Sequence, residues 1–248
     1  MASATTEPYD AAFYERYRDG SYLSAKAIAP IVLSHMAIRS VVDIGCGLGT
    51  WLRAFQEAGV PEVEGYDGDY VDRSALLIDK AQFHPVDLRE DFVLFGRRFD
   101  LAISLEVAEH LPESCAGPFI QRLAALAPAV LFSAAIPGQG GTDHLTERWQ
   151  DYWRRIFLSY GFQPVDLIRP LIRGRADVEW WYQQNIILYC EGAFLAKHPH
   201  LAPVEPKLSL DCVLPCVYES HRDLYFSKAL RLLPRLALRA VKRRLRGH

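Results

Sequence analysis

The sequence predicts a doubly wound α/β fold: one seven-stranded, mostly parallel sheet, with helices ahead of it and a basic amphipathic helix behind it. Three observations support this. Val41-Val42-Asp43-Ile44 is a short apolar run of the kind a buried parallel strand requires. It leads directly into Gly45-Cys46-Gly47-Leu48-Gly49-Thr50 and then a helical pattern from Trp51. Strand, glycine turn and helix is the layout of a nucleotide-binding crossover. Glycine accepts positive φ and lets a ligand approach the backbone, and the helix start offers free N–H groups. Further apolar runs recur at 63–66, 83–88, 99–105, 130–136, 162–168 and 185–190. Helical patterns lie between several of them, as parallel strands demand.

A 248-residue chain fits one large α/β domain with additions, taken as 1–195 with an N-terminal helical cap, followed by an extension over 196–248. Hydrophobic residues make up 50%, ample for a core, and no apolar run reaches the ~18 residues of a membrane span. Residues 1–8 have neither a basic start nor an apolar core, so no secretory signal is expected. Cys46, Cys115, Cys190, Cys212 and Cys216 are odd in number and scattered, which favours free thiols in a reducing cytoplasm. The net charge of −2 hides an asymmetry. Eight of the 28 basic residues lie from Lys228 to Arg246 with no acid after Asp223, leaving 20 basic against 30 acidic side chains elsewhere. An acidic body is a poor nucleic-acid binder, so no specific nucleic-acid partner is expected. Leu230, Leu233, Leu236 and Val241 alternate with Arg231, Arg235, Arg239 and Lys242 at helical spacing, with Pro234 as a kink. Such a helix suits an anionic inner-membrane surface, a second subunit in a homo-oligomer, or solvent.

Residues 9–36 read as helical, with Tyr9, Phe13, Tyr14 and Tyr17 on one stripe. Gly20-Ser21 is expected to break the run, Ser21 or Ser24 to cap a second helix, and Pro30 to kink it. The helix at 51–58 stops at Gly59. Asp67-Gly68-Asp69 ends the second strand about 20 residues past the glycine turn, where an acid can accept both hydroxyls of a ribose. Thr142 or Thr146 is expected to open the helix carrying Trp149 and Trp153, whose spacing favours core packing for both. Together with Trp180, Trp181 and Tyr182 they could instead form an apolar wall or a sugar-stacking platform. Gln183, Gln184 and Asn185 could contact an acceptor, although nothing in their spacing assigns that role.

The turn itself reads G-x-G-x-G, with Thr50 where the dinucleotide fingerprint wants a third glycine. Residues 41–49 resemble the first motif of the class I S-adenosylmethionine-dependent methyltransferases, of a bacterial small-molecule or glycan type. The resemblance covers most of 9–189, and is specific for the class rather than for a substrate. It implies a Rossmann-like methyltransferase fold and S-adenosylmethionine as cofactor. Asp43 would then orient the amino-acid part of the cofactor, and Gly45, Gly47 and Gly49 would form its turn. Asp67 and Gly68 would meet the ribose, Asp87 and Leu88 the adenine, and Leu105 would face the transferred methyl. The acceptor implied is a small molecule or sugar, methylated more readily on oxygen than on nitrogen.

Methyl transfer to a hydroxyl wants a base or a metal. His110 and His144 follow the fourth and fifth strands and are the candidate catalytic bases. Glu106-x-x-Glu109-His110 places two carboxylates and an imidazole within one helical turn, and with His144 gives a set suited to Mg, Mn or Zn. This string resembles the E-x-x-E-H of metal-assisted O-methyltransferases, including small-RNA 2′-O-methyltransferases. The absence of an RNA-binding module argues against an RNA acceptor. An NAD-dependent oxidoreductase or epimerase is the main alternative. Its Tyr-x-x-x-Lys pair, however, would fall at Tyr22 and Lys26, ahead of the turn. A non-catalytic cofactor-binding protein is the other.

Overall fold

The computed structural model describes residues 11–90, 97–222 and 233–234, with side chains omitted at 11–19 and 220–222. In chain order the elements are α1 (Ala11–His35), β1 (Ser40–Ile44), α2 (Thr50–Glu57), β2 (Glu62–Asp67), β3 (Phe83–Pro85), β4 (Leu101–Leu105), α3 (Ala116–Leu126), β5 (Ala129–Ser133), α4 (Gln150–Ser159), β6 (Phe162–Val165), α5 (Ile168–Ile172), α6 (Trp180–Asn185), β7 (Ile187–Glu191), α7 (Gly192–Lys197) and α8 (Pro215–Arg222). The seven strands form one sheet in the order β3-β2-β1-β4-β5-β7-β6. Pairings from β3 to β5 are parallel, and β7 runs antiparallel to both β5 and β6.

Strand periodicity explains the two helical layers. Side chains alternate across a strand. Val41, Leu101, Ile103, Ala129 and Leu131 enter one core with α1, α2, α5 and α6 residues such as Ile28, Phe55, Ile172 and Tyr182. Val42, Ile44, Ala102, Val130 and Phe132 enter the other, with Phe119, Ile120 and Leu123 of α3 and Trp153 and Phe157 of α4. Every residue of β1, β4 and β5 is buried, which is why these strands read as near-continuous apolar runs. The chain order reverses at β1, between β2 and β4. The carboxyl ends there open a crevice, the position where open α/β sheets bind ligands.

Several expectations are corrected. Helix α1 runs unbroken through Gly20-Ser21 and Pro30. Burial of Ala25, Ile28, Ala29 and Val32 against the sheet outweighs the ~1 kcal/mol a helical glycine costs. Ser24 caps nothing; its hydroxyl donates back to Gly20 O at 2.8 Å. Helix α4 starts at Gln150 rather than at Thr142 or Thr146, since the Thr146 hydroxyl is buried and donates to Leu111 O at 2.7 Å. Trp149 therefore sits ahead of the helix, 40% exposed, while Trp153 is buried as expected. The run at 162–168 is strand only to Val165, and Ile168 begins α5.

The first compact unit extends through Cys212, and Val213–His248 forms a second. Within the first unit, Arg154 donates to Leu208 O and Glu205 O, and Arg169 to Leu210 O, which fixes the stretch after α7. The second unit contains α8. The tyrosine stripe at 9–17 and, apart from Leu233 and Pro234, the basic segment at 225–245 lie outside the side chains described.

Candidate active site

The glycine turn has positive φ at all three glycines: 88° at Gly45, 52° at Gly47 and 79° at Gly49. The three differ in what surrounds them. A Cβ at Gly45 would lie 2.4 Å from Val107 Cγ2, and one at Gly49 2.9 Å from Ile78 Cγ1. At Gly47 a Cβ would meet nothing within 4 Å. The outer glycines permit close packing, and the middle one opens onto a cavity of about 680 Å³. Gly45 to Leu48 line one side of this cavity; Leu105, Glu106, Glu109, His110 and His144 line another.

Asp67 ends β2 and is buried. Its carboxylate accepts from Gly47 N at 2.6 Å, Gly68 N at 2.6 Å and the Tyr70 hydroxyl at 2.5 Å. Tyr70, absent from the sequence-based expectations, thus holds the oxygen that a ribose hydroxyl would use. Asp87 is exposed and gripped by the Arg89 guanidinium, which lowers its carboxyl to about 2. Leu88 is buried, and of the expected cofactor residues only Gly45, Gly47 and Leu105 border the cavity; Asp43, Gly49, Asp67, Gly68, Asp87 and Leu88 do not.

Asp43 is buried beneath the turn. Burial, and then the charge of Asp67, push its carboxyl well above the usual range. An aspartate ordinarily titrates near 3.9. With the folded value raised, the folded state holds the extra proton between the two values. The Asp43 contribution to stability is therefore fully present below about pH 4 and is lost as pH rises through the folded value, opposite in sign to that of carboxyls held low, such as Asp87. Asp43→Asn should flatten that slope. Urea unfolding at about pH 4.5 and 7.5 should show the variant gaining stability relative to wild type as pH rises, whereas a pH-independent difference between the two contradicts the assignment.

The Glu106–His110 string does not form the single helical turn that its spacing suggests. Glu106 leaves β4 with φ 57°, and only Ala108–His110 makes a short 3₁₀ turn. Glu106 consequently points to the amides of Gln139 and Asn185, at 2.9 and 3.2 Å. Glu109, His110 and His144 converge instead, each offering a ligand atom within 4.8 Å of the others. The four-residue metal set thus becomes three, with Glu106 outside it. Leu145 N and Thr146 N both donate to Glu109 O, which holds the His144 segment beside His110. The two imidazoles meet edge to face at 4.9 Å. Glu109 is fully buried, and neither carboxylate oxygen meets hydrogen-bond geometry with a partner among the described residues, although the Glu106 carboxyl and the backbone N–H groups of Glu109 and Ala135 lie near enough to act on it. Burial, then the Glu106 charge, drive its carboxyl well above the usual range. Burial, then His144, lower the His110 imidazole.

Sequence reasoning missed Glu147. Its carboxylate accepts from Gly138 N at 2.7 Å and Gly140 N at 3.1 Å, and meets His144 Nδ1 at 3.1 Å. Gly141 leaves room for the imidazole, since a Cβ there would lie 2.2 Å from His144 Nε2. An acid three residues after a histidine in a glycine-rich loop was the available signal. A carboxylate partner favours Nδ1 as the donor, and in a neutral imidazole that leaves Nε2 as the acceptor. Glu147→Gln should mix the His144 tautomers, read by ¹⁵N NMR, and weaken Mn²⁺ binding by roughly 10–100-fold. An unchanged tautomer and affinity would show that the contact is passive. Gln183, Gln184 and Asn185 are all buried; Gln183 bonds to Arg175 O and Val178 O and Asn185 to Gln139, so they act as scaffold.

A family model described as a methyltransferase domain matches residues 14–167, more than half of the chain. The chain therefore belongs to the methyltransferase-domain family, as a class I S-adenosylmethionine-dependent enzyme. Solved structures agree on the fold. The sugar N-methyltransferase KedS8 from Streptoalloteichus sp ATCC 53650 is 17% identical with TM-score 0.55, over 77% of this chain and 98% of that one. DesVI from Streptomyces venezuelae is 16% identical with TM-score 0.52, over 77% and 100%. Magnesium protoporphyrin IX methyltransferase from Synechocystis PCC 6803, solved with bound SAH, is 18% identical with TM-score 0.51, over 75% and 89%. No curated protein matches the chain.

Proposed function

We propose that this enzyme O-methylates a small hydroxylated molecule or sugar, with a divalent metal held by Glu109, His110 and His144. The observation that carries this reading is the buried Glu109 carboxylate, without a hydrogen-bond partner among the described residues, beside two imidazoles on the cavity wall. Such a carboxylate is costly unless a proton or a cation completes it. One carboxylate and two imidazoles suit Mn²⁺ or Zn²⁺. Such a metal would supply Lewis-acid activation of an acceptor hydroxyl.

The cofactor also fits. The open space above Gly47 and the buried acid Asp67 beside it give a backbone cradle with a ribose acceptor. S-adenosylmethionine supplies an electrophilic methyl on a sulfonium. The chain supplies position. Gly45, Gly47 and Gly49 shape the turn, Asp43 lies under the amino-acid end, and Leu105 borders the reacting centre. Asp87 and Leu88 reach the adenine only if the Arg89 grip on Asp87 opens. A second reading follows from the Glu147–His144 contact, in which His144 Nε2 takes the hydroxyl proton as general base.

A chelator separates the two. Labelled methyl transfer to a panel of hydroxylated small molecules should stop in chelator and return with Mn²⁺. Full turnover in chelator, with no Mn²⁺ bound by calorimetry, leaves the histidine base alone. Among the described residues no helix is long and apolar enough to cross a membrane. A cytoplasmic enzyme touching the inner membrane face through the basic segment after Asp223 is part of this proposal. Liposome co-sedimentation with and without residues 225–248 tests that part, and identical behaviour removes it.

A further inference from the structure

The cavity has a wall that neither the cofactor turn nor the Glu109–His110–His144 cluster uses. It is made by Glu179, Trp180 and Trp181 at the start of α6. Glu179 stands at the helix N-cap, yet its side chain makes no cap hydrogen bond. Nor does its carboxylate have a hydrogen bond or ion pair among the described residues. It lies over Gly20 of α1, where a Cβ would sit 2.1 Å from Oε1. A glycine at that point of the helix makes the space for the carboxylate to reach the cavity. The Trp180 and Trp181 rings are half-buried and meet at 5.6 Å in a T-shape. No lysine or arginine lines the cavity among the described residues.

This wall is separate from the reacting end. Asn185, at the other end of α6, holds Glu106. Six residues of helix place Glu179 about 9 Å from Asn185 along the axis. A half-buried carboxylate on the same cavity wall as two half-buried indoles is a setting for a cation, through charge-assisted hydrogen bonding and cation–π attraction. An anionic group there would be desolvated beside a like charge, with no lysine or arginine among the described cavity residues to compensate it. We propose that Glu179, Trp180 and Trp181 form an ammonium-binding subsite, so that the acceptor is a small polyhydroxylated molecule bearing a protonated amine. Its amine docks on this wall, and its hydroxyl faces the His144 end. The proposal rests on the methyl-transfer reading above and adds the charge class of the acceptor.

The test uses the full chain saturated with SAH, and three probes: the methyl glycosides of glucosamine, glucose and glucuronic acid. Binding is read by saturation-transfer NMR and calorimetry. The glucosaminide should bind at least about 5-fold more tightly than the glucoside, with the glucuronide weakest. Glu179→Gln should erase the amine preference while leaving SAH affinity within about twofold. The wild-type series needs no variant, so a misfolded variant leaves the test standing. Glucuronide binding as tight as glucosaminide, or no detectable preference for the amine, overturns the proposal. So does a loss of SAH affinity in Glu179→Gln, which would give the carboxylate to the donor instead. Failure of SAH to bind folded wild-type protein strikes the underlying methyl-transfer reading, a different and separately visible result.

Discussion

Gly45→Ala should unfold readily and lose the donor, whereas Gly47→Ala should fold and lose only the donor. Both positions have positive φ, 88° and 52°, where an alanine costs roughly 1–2 kcal/mol. At Gly45 the new methyl also meets Val107 Cγ2 at 2.4 Å. That atom belongs to a β-branched side chain with little freedom to turn aside. Overpacking of this kind adds about 1–3 kcal/mol, for a total near 2–5 kcal/mol, a large part of a stability of about 5–15 kcal/mol. At Gly47 the methyl enters open space, which is the space the proposed donor site would fill. Thermal unfolding should therefore separate the two variants by several degrees, while calorimetry finds SAH binding lost in both. Equal stability of the two would show that the Val107 contact is soft. Retained SAH binding in Gly47→Ala would place the donor elsewhere.

Glu109→Gln should abolish metal binding without weakening the metal-free fold. The carboxylate is fully buried without a hydrogen-bond partner among the described residues, and it lies beside Glu106. In the metal-free protein the raised carboxyl holds its proton, so the amide replaces a neutral group of similar shape, while a cation loses an anionic ligand. The loss of Mn²⁺ affinity should exceed the roughly 10–100-fold typical of an outer-shell change, since a ligand itself is removed. Melting of the metal-free variant should match or exceed wild type. A variant that melts well below wild type would mean that Glu109 has a structural partner. A variant that binds Mn²⁺ normally would remove the metal from the site.

The strands and the glycine turn were legible in the sequence because burial on both faces leaves a local trace. Val41-Val42-Asp43-Ile44 reads as a strand with no knowledge of its neighbours, and three positive-φ positions demand glycine. The reacting side was only half legible. Spacing put Glu106 on a face with Glu109 and His110, but the left-handed backbone at Glu106 sends its carboxylate to Gln139 and Asn185. No local pattern announces a single positive-φ glutamate. Glu147 and Tyr70 were missed for a related reason. Their roles come from a loop folded back on His144, and from a turn folded back on Asp67. Gly20 misled in the opposite direction, since long-range burial of α1 overrode its local tendency to end a helix.

The whole interpretation depends on a sulfonium nucleoside occupying the crevice between the carboxyl ends of β1 and β4. Calorimetry of the folded protein with SAH is the most direct measurement. Saturable binding at a single site, absent in Gly47→Ala and present with or without Mn²⁺, is the expected result. No heat with SAH, together with saturable binding of a nicotinamide dinucleotide, would contradict it.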